Sequence, residues 1–166
     1  MTYSADNHTI HTSSVTRRIL ALARDSAAKI LVVDDDDLEL ALICDRLEHC
    51  GFEVRRAENG EAALKVLKDE WFPVMITDWQ MPVMSGIELT EKVREQGITD
   101  TVVIMLTVLD SSFDYETAYE AGVDEYVTKN MPEIELFARI HAAFSTVNLR
   151  RALQEARAQL ASTGEK

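Results

Sequence analysis

The sequence predicts an α/β fold built on a parallel sheet, and two patterns support this prediction. Five short apolar runs alternate along the chain with segments in which apolar residues recur at helical spacing. Polar residues of matched chemistry directly follow four of these runs. Such alternation is typical of strands joined by right-handed crossovers, with helices on both faces of the sheet. The periodicity indicates the alternation and leaves the order of the strands open.

The predicted elements follow this alternation along the chain. The predicted strands are 29–33, 53–57, 74–77, 102–106 and 125–128. The predicted helices are 37–50, 61–69, 86–96, 112–121 and a final helix from Pro132. The second strand leads through Asn59-Gly60 to the second helix. Pro132 suits the first turn of a helix, where its missing N–H has no intrahelical partner.

The first predicted helix has signals at both ends. Asp36 or Asp37 is expected to be its N-cap, because an aspartate carboxylate accepts hydrogen bonds from the free amides of a first turn. Gly51 is well placed to end the helix. The apolar residues between these ends recur at helical spacing and predict one buried face: Leu40, Ile43, Cys44 and Leu47.

The final helix is predicted to be longer than the domain requires. Its first part carries an apolar stripe that we expect to cover the sheet: Ile134, Phe137, Ile140, Phe144 and Val147. After Asn148 the apolar positions move to another face with a coiled-coil rhythm: Leu149, Leu153, Ala156 and Leu160. We therefore expect an N-terminal extension at 1–28, disordered and then briefly helical, a main domain at 29–147, and a helical extension or linker at 148–166.

The polar residues that follow the apolar runs predict a ligand site. In chain order they are Asp34 with Asp35, Asp78, Thr107 and Lys129. The carboxyl ends of parallel strands meet at one edge of the sheet, where open α/β folds bind ligands. We therefore expect acidic, hydroxyl and ammonium groups to converge in one crevice.

The chemistry of these groups suits a phosphate and a metal. Three packed carboxylates repel one another unless a cation lies between them, so Asp34, Asp35 and Asp78 predict a metal site with oxygen ligands that suit Mg²⁺. Asp78 is also a candidate nucleophile, because an aspartate can form a covalent acyl phosphate. Thr107 can donate its hydroxyl to a phosphoryl oxygen. Lys129 can bind phosphate as a point charge and offset charge during phosphoryl transfer.

Over about residues 29–145 the sequence resembles the receiver domains of bacterial two-component response regulators. The motifs that carry the resemblance occur in the family's order: Asp34-Asp35, the loop Asp78-x-x-Met81-Pro82-x-Met84-x-Gly86, Thr107, and Tyr126-x-x-Lys129. The resemblance implies a flavodoxin-like (CheY-like), doubly wound sheet of five parallel strands in the order 2-1-3-4-5. The N-terminal extension and the elongated C-terminal helix lie outside that fold.

The resemblance also implies a role for each site residue. Asp78 is the phosphoacceptor, and Thr107 and Lys129 contact the phosphoryl group. Thr107 and Tyr126 form the conformational switch. The implied ligands of Mg²⁺ are Asp34, Asp35, Asp78 and the main-chain carbonyl of Gln80.

The implied function is phosphoacceptance in signalling, with no enzymatic activity beyond self-catalysed phosphotransfer and dephosphorylation. The partners are a histidine kinase or phosphotransfer protein, and an output domain or partner that binds the last strand and its flanking helices. The helical extension leads to that output domain or forms a homodimer.

Two positions depart from the family's pattern. Asn130 follows the lysine, where the family usually has a proline joined by a cis peptide. Val108 follows Thr107, where a small residue is usual, and its branched side chain is expected to narrow the entrance to the site. We predict slower phosphorylation by small donors and slower loss of phosphate.

Two alternative functions remain open at the level of sequence. Asp34-x-Asp36 after a strand also resembles the haloacid-dehalogenase type of Mg²⁺ phosphohydrolase, in which Asp34 would be the nucleophile. That family has Thr or Val at the position of Leu38. Alternatively, Val108 and Asn130 are compatible with a pseudo-receiver scaffold that acts without phosphorylation.

Composition sets outer limits on function. A formal net charge of −12 argues against direct nucleic-acid binding by this segment, since such binding relies on Lys and Arg to neutralise phosphates. No apolar stretch approaches the roughly 20 residues of a membrane span. Cys44 and Cys50 are expected to be reduced thiols in a cytoplasmic protein.

Overall fold

The computed structural model describes residues 28–108 and 112–163. Within them the strands are β1 (Lys29–Val33), β2 (Glu53–Ala57), β3 (Val74–Asp78), β4 (Val102–Thr107) and β5 (Glu125–Thr128). The helices are α1 (Asp37–His49), α2 (Gly60–Asp69), α3 (Gly86–Glu95), α4 (Ser112–Glu120) and α5 (Glu133–Thr163). Every strand and helix predicted from residue 29 onward is present, and the predicted and observed bounds agree to within one residue.

The five strands form one parallel sheet in the order β2-β1-β3-β4-β5. This order confirms the one that the family resemblance implied. The register pairs Asp78 with Leu106, and Thr107 with Thr128. The carboxyl ends of β3, β4 and β5 are therefore nearly level at one edge of the sheet.

Helices cover both faces of the sheet, and alternate residues of each strand belong to separate hydrophobic clusters. In β1, Ile30 and Val32 pack in a cluster with residues of α1 and α5. Leu31 and Val33 point the other way and pack with residues of α2, α3 and α4. Burial on both faces explains why the central strands are nearly continuous apolar runs.

The ends of α1 follow from local chemistry. Asp36 is the N-cap, and its Oδ1 accepts hydrogen bonds from the amides of Leu38 at 2.9 Å and Glu39 at 3.0 Å. At the other end Gly51 has a φ of 90°, a left-handed conformation in which a side chain is unfavourable. The sequence predicted both signals and left the choice between Asp36 and Asp37 open.

The N-terminal part of α5 corrects one prediction. Phe137, Ile140, Phe144 and Val147 are buried as expected, but Ile134 is 46% exposed. At about 100° per residue, Ile134 lies roughly 120° around the helix from Ile140 and so points away from the sheet. Leu136 packs against the core near the start of the helix instead.

The C-terminal part of α5 continues without interruption across the predicted boundary at residue 148. Arg150 bonds Asp124 at 3.0 Å, and Gln154 bonds Asp100 at 3.2 Å. The Arg151 guanidinium lies 3.7 Å from the ring centroid of Trp71. These contacts attach the first turns of the extension to the edge of the sheet opposite the predicted site. The coiled-coil positions remain exposed: Leu149, Leu153, Ala156 and Leu160.

Three further predictions concern the ends of the chain, its thiols and membranes. The predicted disorder and short helix of the N-terminal extension fall on residues 1–27, outside the described residues. Cys44 and Cys50 are both free thiols, as expected. In the described part of the chain, no helix combines the length and the apolar character needed to cross a bilayer.

Candidate functional site

The predicted site residues lie where strands end at one edge of the sheet. Asp34 follows β1 directly and its backbone amide still bonds Ala57 of β2. Asp78 is the last residue of β3 and Thr107 the last of β4, while Lys129 follows the last residue of β5. The parallel topology therefore brings together groups that are far apart in the sequence.

Lys129 is the centre of the site. Its Nζ lies 3.0 Å from Oδ2 of Asp34 and 3.0 Å from Oδ1 of Asp78. It also makes a close ion pair with Oε2 of Glu39 in the first turn of α1. The Lys129 backbone amide bonds the carbonyl of Thr107 at 2.7 Å, which fixes the start of the side chain. One ammonium thus joins three carboxylates.

The acidic residues form a cluster of the kind that holds a metal ion. Asp34, Asp35 and Asp78 each offer a carboxylate oxygen, and these oxygens lie within 4.8 Å of one another. Asp34 and Asp78 are buried, whereas Asp35 is exposed. A set of three anionic oxygens that is open to water on one side suits a hard divalent cation that keeps some of its water ligands.

Burial and charge act in opposite directions on the two ionisable groups at the centre. Burial raises the pKa of Asp78, although Lys129 opposes the rise, and the nearby Asp34 adds to it. Burial lowers the pKa of Lys129, but hydrogen bonds to Glu39, Asp34 and Asp78 outweigh it and leave that pKa raised. Lys129 therefore stays protonated and compensates the negative charge around it.

Backbone hydrogen bonds hold the carboxylates in place. The amide of Asp36 donates to Oδ1 of Asp34 at 3.0 Å, and the amide of Gln80 donates to Oδ2 of Asp78 at 3.2 Å. Gly86 packs so closely that a Cβ built on it would lie 2.1 Å from the main-chain oxygen of Asp78. The start of α3 can therefore pack against the end of β3 in this way only with glycine at position 86.

Thr107 and Tyr126 lie on the β4 and β5 side of the site. Thr107 is buried and Tyr126 is half-buried. The Tyr126 ring meets the ring of Trp79 edge-on, with centroids 6.0 Å apart and planes at 82°. Trp79 follows Asp78 directly, and its amide bonds the Leu106 carbonyl at 3.0 Å. A chain of contacts therefore runs from the residue next to Asp78 to Tyr126.

The two unusual positions flank the site. Val108 is 73% exposed immediately after Thr107, so its side chain stands at the surface beside the strand ends. Asn130 is also exposed, and no described peptide bond is cis, including the one after Lys129. Lys129 thus reaches both aspartates from a trans peptide.

Glu39 is a site residue that the sequence did not predict. Its carboxylate is a partner of Lys129, but the sequence shows it only as one more acid in an acidic helix start. The available signal was its position in the first turn of α1, directly beyond the loop that carries Asp34 and Asp35. The ligand role predicted for the Gln80 carbonyl stays a prediction.

The comparison with protein families identifies the class. The chain matches the model of the response regulator receiver domain over residues 30–141, a span that contains every predicted site residue. It therefore belongs to the response regulator receiver domain family and is a receiver domain of two-component signalling. Domains of this family interact with histidine kinases and output domains. The match does not favour the phosphohydrolase or the pseudo-receiver.

Relatives and solved structures agree with this class. The chain is 33% identical over 123 residues to the phosphate regulon transcriptional regulatory protein PhoB of Escherichia coli (strain K12), covering 74% of this chain and 54% of PhoB. It is 37% identical over 114 residues to the alkaline phosphatase synthesis transcriptional regulatory protein PhoP of Bacillus subtilis (strain 168), covering 69% and 47%. A CheY-like response regulator receiver domain protein from Methanospirillum hungatei JF-1 has a TM-score of 0.70 at 29% identity, covering 75% and 99%. The chain spans about half the length of the curated relatives it matches.

Proposed function

We propose that this receiver domain accepts a phosphoryl group onto Asp78 from the phosphohistidine of a histidine kinase or of a phosphotransfer protein. The observation that supports this is the meeting of the Asp78 carboxylate with the Lys129 ammonium beside the Asp34-Asp35 pair. An Asp78 oxygen forms the bond to phosphorus while the bond from phosphorus to the histidine nitrogen breaks, and that nitrogen keeps the electron pair. The product is an acyl phosphate, so the domain acts as a phosphoacceptor and not as a turnover enzyme.

Mg²⁺ is the proposed cofactor. Asp34, Asp35 and Asp78 would hold it, with the main-chain carbonyl of Gln80 as a further ligand implied by family resemblance. The three clustered carboxylates support this choice, because their repulsion falls when a hard cation binds their oxygens. When bound, Mg²⁺ supplies positive charge that offsets the charge of the transferring phosphoryl group.

Two neighbours of Asp78 are proposed to assist the transfer of the phosphoryl group. Lys129 favours the ionised, nucleophilic form of Asp78 against the effect of burial, and then binds a phosphoryl oxygen. Thr107 donates its hydroxyl to another phosphoryl oxygen. These fixed donors need little rearrangement during the reaction, which is how preorganised sites stabilise developing charge.

The proposed response is a shift between two conformations that both exist before phosphorylation. The phosphoryl group draws Thr107 towards Asp78, and Tyr126 follows. The edge-on contact between Tyr126 and Trp79 supports this route, because it couples β5 to the residue next to the phosphoacceptor. The surface of β5, α4 and α5 then changes its affinity for an output domain or partner protein.

The helical extension at 148–166 is proposed to carry the signal onward. Its anchors at Arg150 and Gln154 support a direct mechanical connection to the domain. Its exposed apolar stripe suits either the start of an output module or a second copy of this chain. We place the protein in the cytoplasm, where histidine kinases present their phosphohistidine.

The direct test is phosphate-affinity gel electrophoresis after incubation with acetyl phosphate or a kinase in the presence of Mg²⁺. The wild-type chain should show a retarded band, and Asp78→Asn should not. Asp37→Asn, an exposed acid in the first turn of α1, should keep the band. Turnover of a phosphate ester that Asp34→Asn abolishes and Asp78→Asn leaves intact would instead support the phosphohydrolase.

Metal binding provides an independent test. Trp79 lies next to Asp78, so its fluorescence should change on titration with Mg²⁺ and saturate. A pseudo-receiver that works without phosphorylation need not bind Mg²⁺. A silent titration together with an absent retarded band would contradict the proposed function.

A further inference from the structure

Lys129 has a partner outside the metal-binding cluster. Its Nζ lies 3.0 Å from both Asp34 Oδ2 and Asp78 Oδ1, and it also bonds Oε2 of Glu39. A lysine ammonium has three N–H donors. Three carboxylates therefore fill the donor capacity of Lys129. An incoming phosphoryl oxygen therefore competes with these three partners for the ammonium.

The exposure of the three carboxylates decides which one leaves most easily. The side chain of Asp34 is 2% exposed and that of Asp78 is 10% exposed, whereas that of Glu39 is 45% exposed. The carboxylates of Asp34 and Asp78 are also held beside the ammonium by hydrogen bonds from the backbone amides of Asp36 and Gln80. Moving either buried carboxylate away from its cations is strongly unfavourable. A half-exposed carboxylate is rehydrated when it leaves. Glu39 is thus the partner with the smallest cost of release.

The backbone around Glu39 permits such a release. Its amide is held by Oδ1 of the N-cap Asp36 at 3.0 Å, so the first turn of α1 does not depend on the Glu39 side chain. A glutamate side chain has three rotatable bonds and can swing into solvent while its backbone stays in place. Release therefore needs a rotamer change and no movement of α1.

We propose that Glu39 is a positioning residue that competes with the phosphoryl group for the ammonium of Lys129. Glu39 holds Lys129 in the unphosphorylated protein and gives it up when a phosphoryl oxygen arrives. This inference rests on the proposed phosphoacceptor role of Asp78. Because Glu39 stabilises the unphosphorylated state, its removal shifts the balance towards the phosphorylated state.

The first experiment measures the affinity for beryllofluoride, a phosphoryl mimic, in saturating Mg²⁺ with Trp79 fluorescence as the signal. Glu39→Gln keeps the size of the side chain and removes its charge. It should tighten binding about two- to fivefold, the range expected from losing one partly exposed ion pair. Asp37→Asn removes a like charge from the same helical turn, and within the described residues Asp37 makes no ion pair with Lys129. It should change the affinity by less than about 1.5-fold, well below the loss of an ion pair.

The second experiment observes Lys129 without any phosphoryl mimic or metal. In protein with ¹⁵N-labelled lysine, the Lys129 ammonium signal is assigned as the one missing from Lys129→Met. Glu39→Gln should shift this signal and speed the exchange of its protons with water, whereas Asp37→Asn should leave it unchanged. A purely structural role of Glu39 would instead lower the free energy of unfolding without moving this signal.

The outcomes separate the inference from the function on which it rests. If wild type fails to bind beryllofluoride, the phosphoacceptor proposal falls and the inference falls with it. If wild type binds, but Glu39→Gln is unchanged or weaker, the inference alone is overturned. Equal tightening by Glu39→Gln and Asp37→Asn would also overturn it, since the loss of one negative charge anywhere in this turn would then explain the tighter binding. An unchanged Lys129 signal in Glu39→Gln has the same consequence.

Discussion

Nζ of Lys129 lies 3.0 Å from Oδ1 of Asp78. Asp78 ends β3 and Lys129 directly follows β5. Because β4 lies between these two strands in the sheet, strand pairing alone does not put the two residues in contact. They meet because all five strands run in the same direction and finish at one edge. The side chain of Lys129 is 16% exposed, and its ammonium is the main compensation for the buried charge around it.

Lys129→Met should destabilise the metal-free domain by about 3 to 5 kcal/mol, because it leaves two buried carboxylates without their cation. Urea denaturation with and without Mg²⁺ measures the effect, and Mg²⁺ should restore part of the loss. Lys65→Met, at an exposed position of α2, is the control and should change stability by less than about 0.5 kcal/mol. If Lys129→Met lowers the free energy of unfolding by less than about 1 kcal/mol, the Lys129 ammonium does not compensate the negative charge of the buried carboxylates.

Mg²⁺ should stabilise the wild-type domain against heat. At ten times the dissociation constant the expected gain is about 1.4 kcal/mol, which corresponds to a rise in Tm of about 3 to 6 °C for a domain of this size. Asp35→Asn should reduce the gain, because Asp35 is exposed and can be changed with little effect on the core. Asp45→Asn, an exposed acid further along α1, should keep it. An equal gain in Asp35→Asn and wild type would argue against a metal site at this cluster.

Gly86→Ala should destabilise the domain by more than about 2 kcal/mol, because overpacking here is against backbone. The added Cβ would lie 2.1 Å from the main-chain oxygen of Asp78. Gly97→Ala is a matched control, since its Cβ would meet nothing within 4 Å, although its φ of +77° adds strain. That strain is about 1 to 2 kcal/mol. Chemical denaturation should rank Gly86→Ala as the more damaging of the two.

Val108→Ala should speed both phosphorylation by acetyl phosphate and loss of the phosphoryl group. Val108 is 73% exposed beside Thr107, so truncating it widens the approach to Asp78 with little effect on stability. Leu153→Ala, exposed on the helical extension, removes apolar surface far from the strand ends and should change neither rate. Time courses on phosphate-affinity gels give both rates. The steric explanation fails if both rates of Val108→Ala equal those of wild type.

The buried thiol of Cys44 should make stability depend on pH in the alkaline range. Burial raises its pKa from 9.0 to about 11. Because the pKa is raised in the folded state, the protonated thiol contributes fully to the free energy of unfolding below about pH 9. This stabilising contribution is lost as the pH rises through about 11. The difference in unfolding free energy between wild type and Cys44→Ala should therefore shrink over that interval. A difference that stays constant from pH 8 to pH 11 would contradict the shifted pKa of Cys44.

Much of the site could be predicted from sequence because its residues follow apolar runs in one repeated position. Asp34, Asp78 and Lys129 each come at or just after a strand end, and the parallel direction of the strands then determines where they meet. Family resemblance supplied the strand order, which periodicity could not. Ile134 was predicted wrongly, because a run of apolar residues on a helix does not tell which of them faces the sheet until neighbouring elements are in place.

By itself the sequence determined the alternation of strands and helices, the position of Gly51 at a helix end, and the set of groups at the strand ends. These follow from spacing and from the chemistry of single residues. Only the tertiary structure decided that Glu39 shares Lys129 with Asp34 and Asp78, and that Gly86 lies against the Asp78 backbone. Both contacts depend on the distance between segments that are brought together by packing, and that distance cannot be inferred from the local sequence.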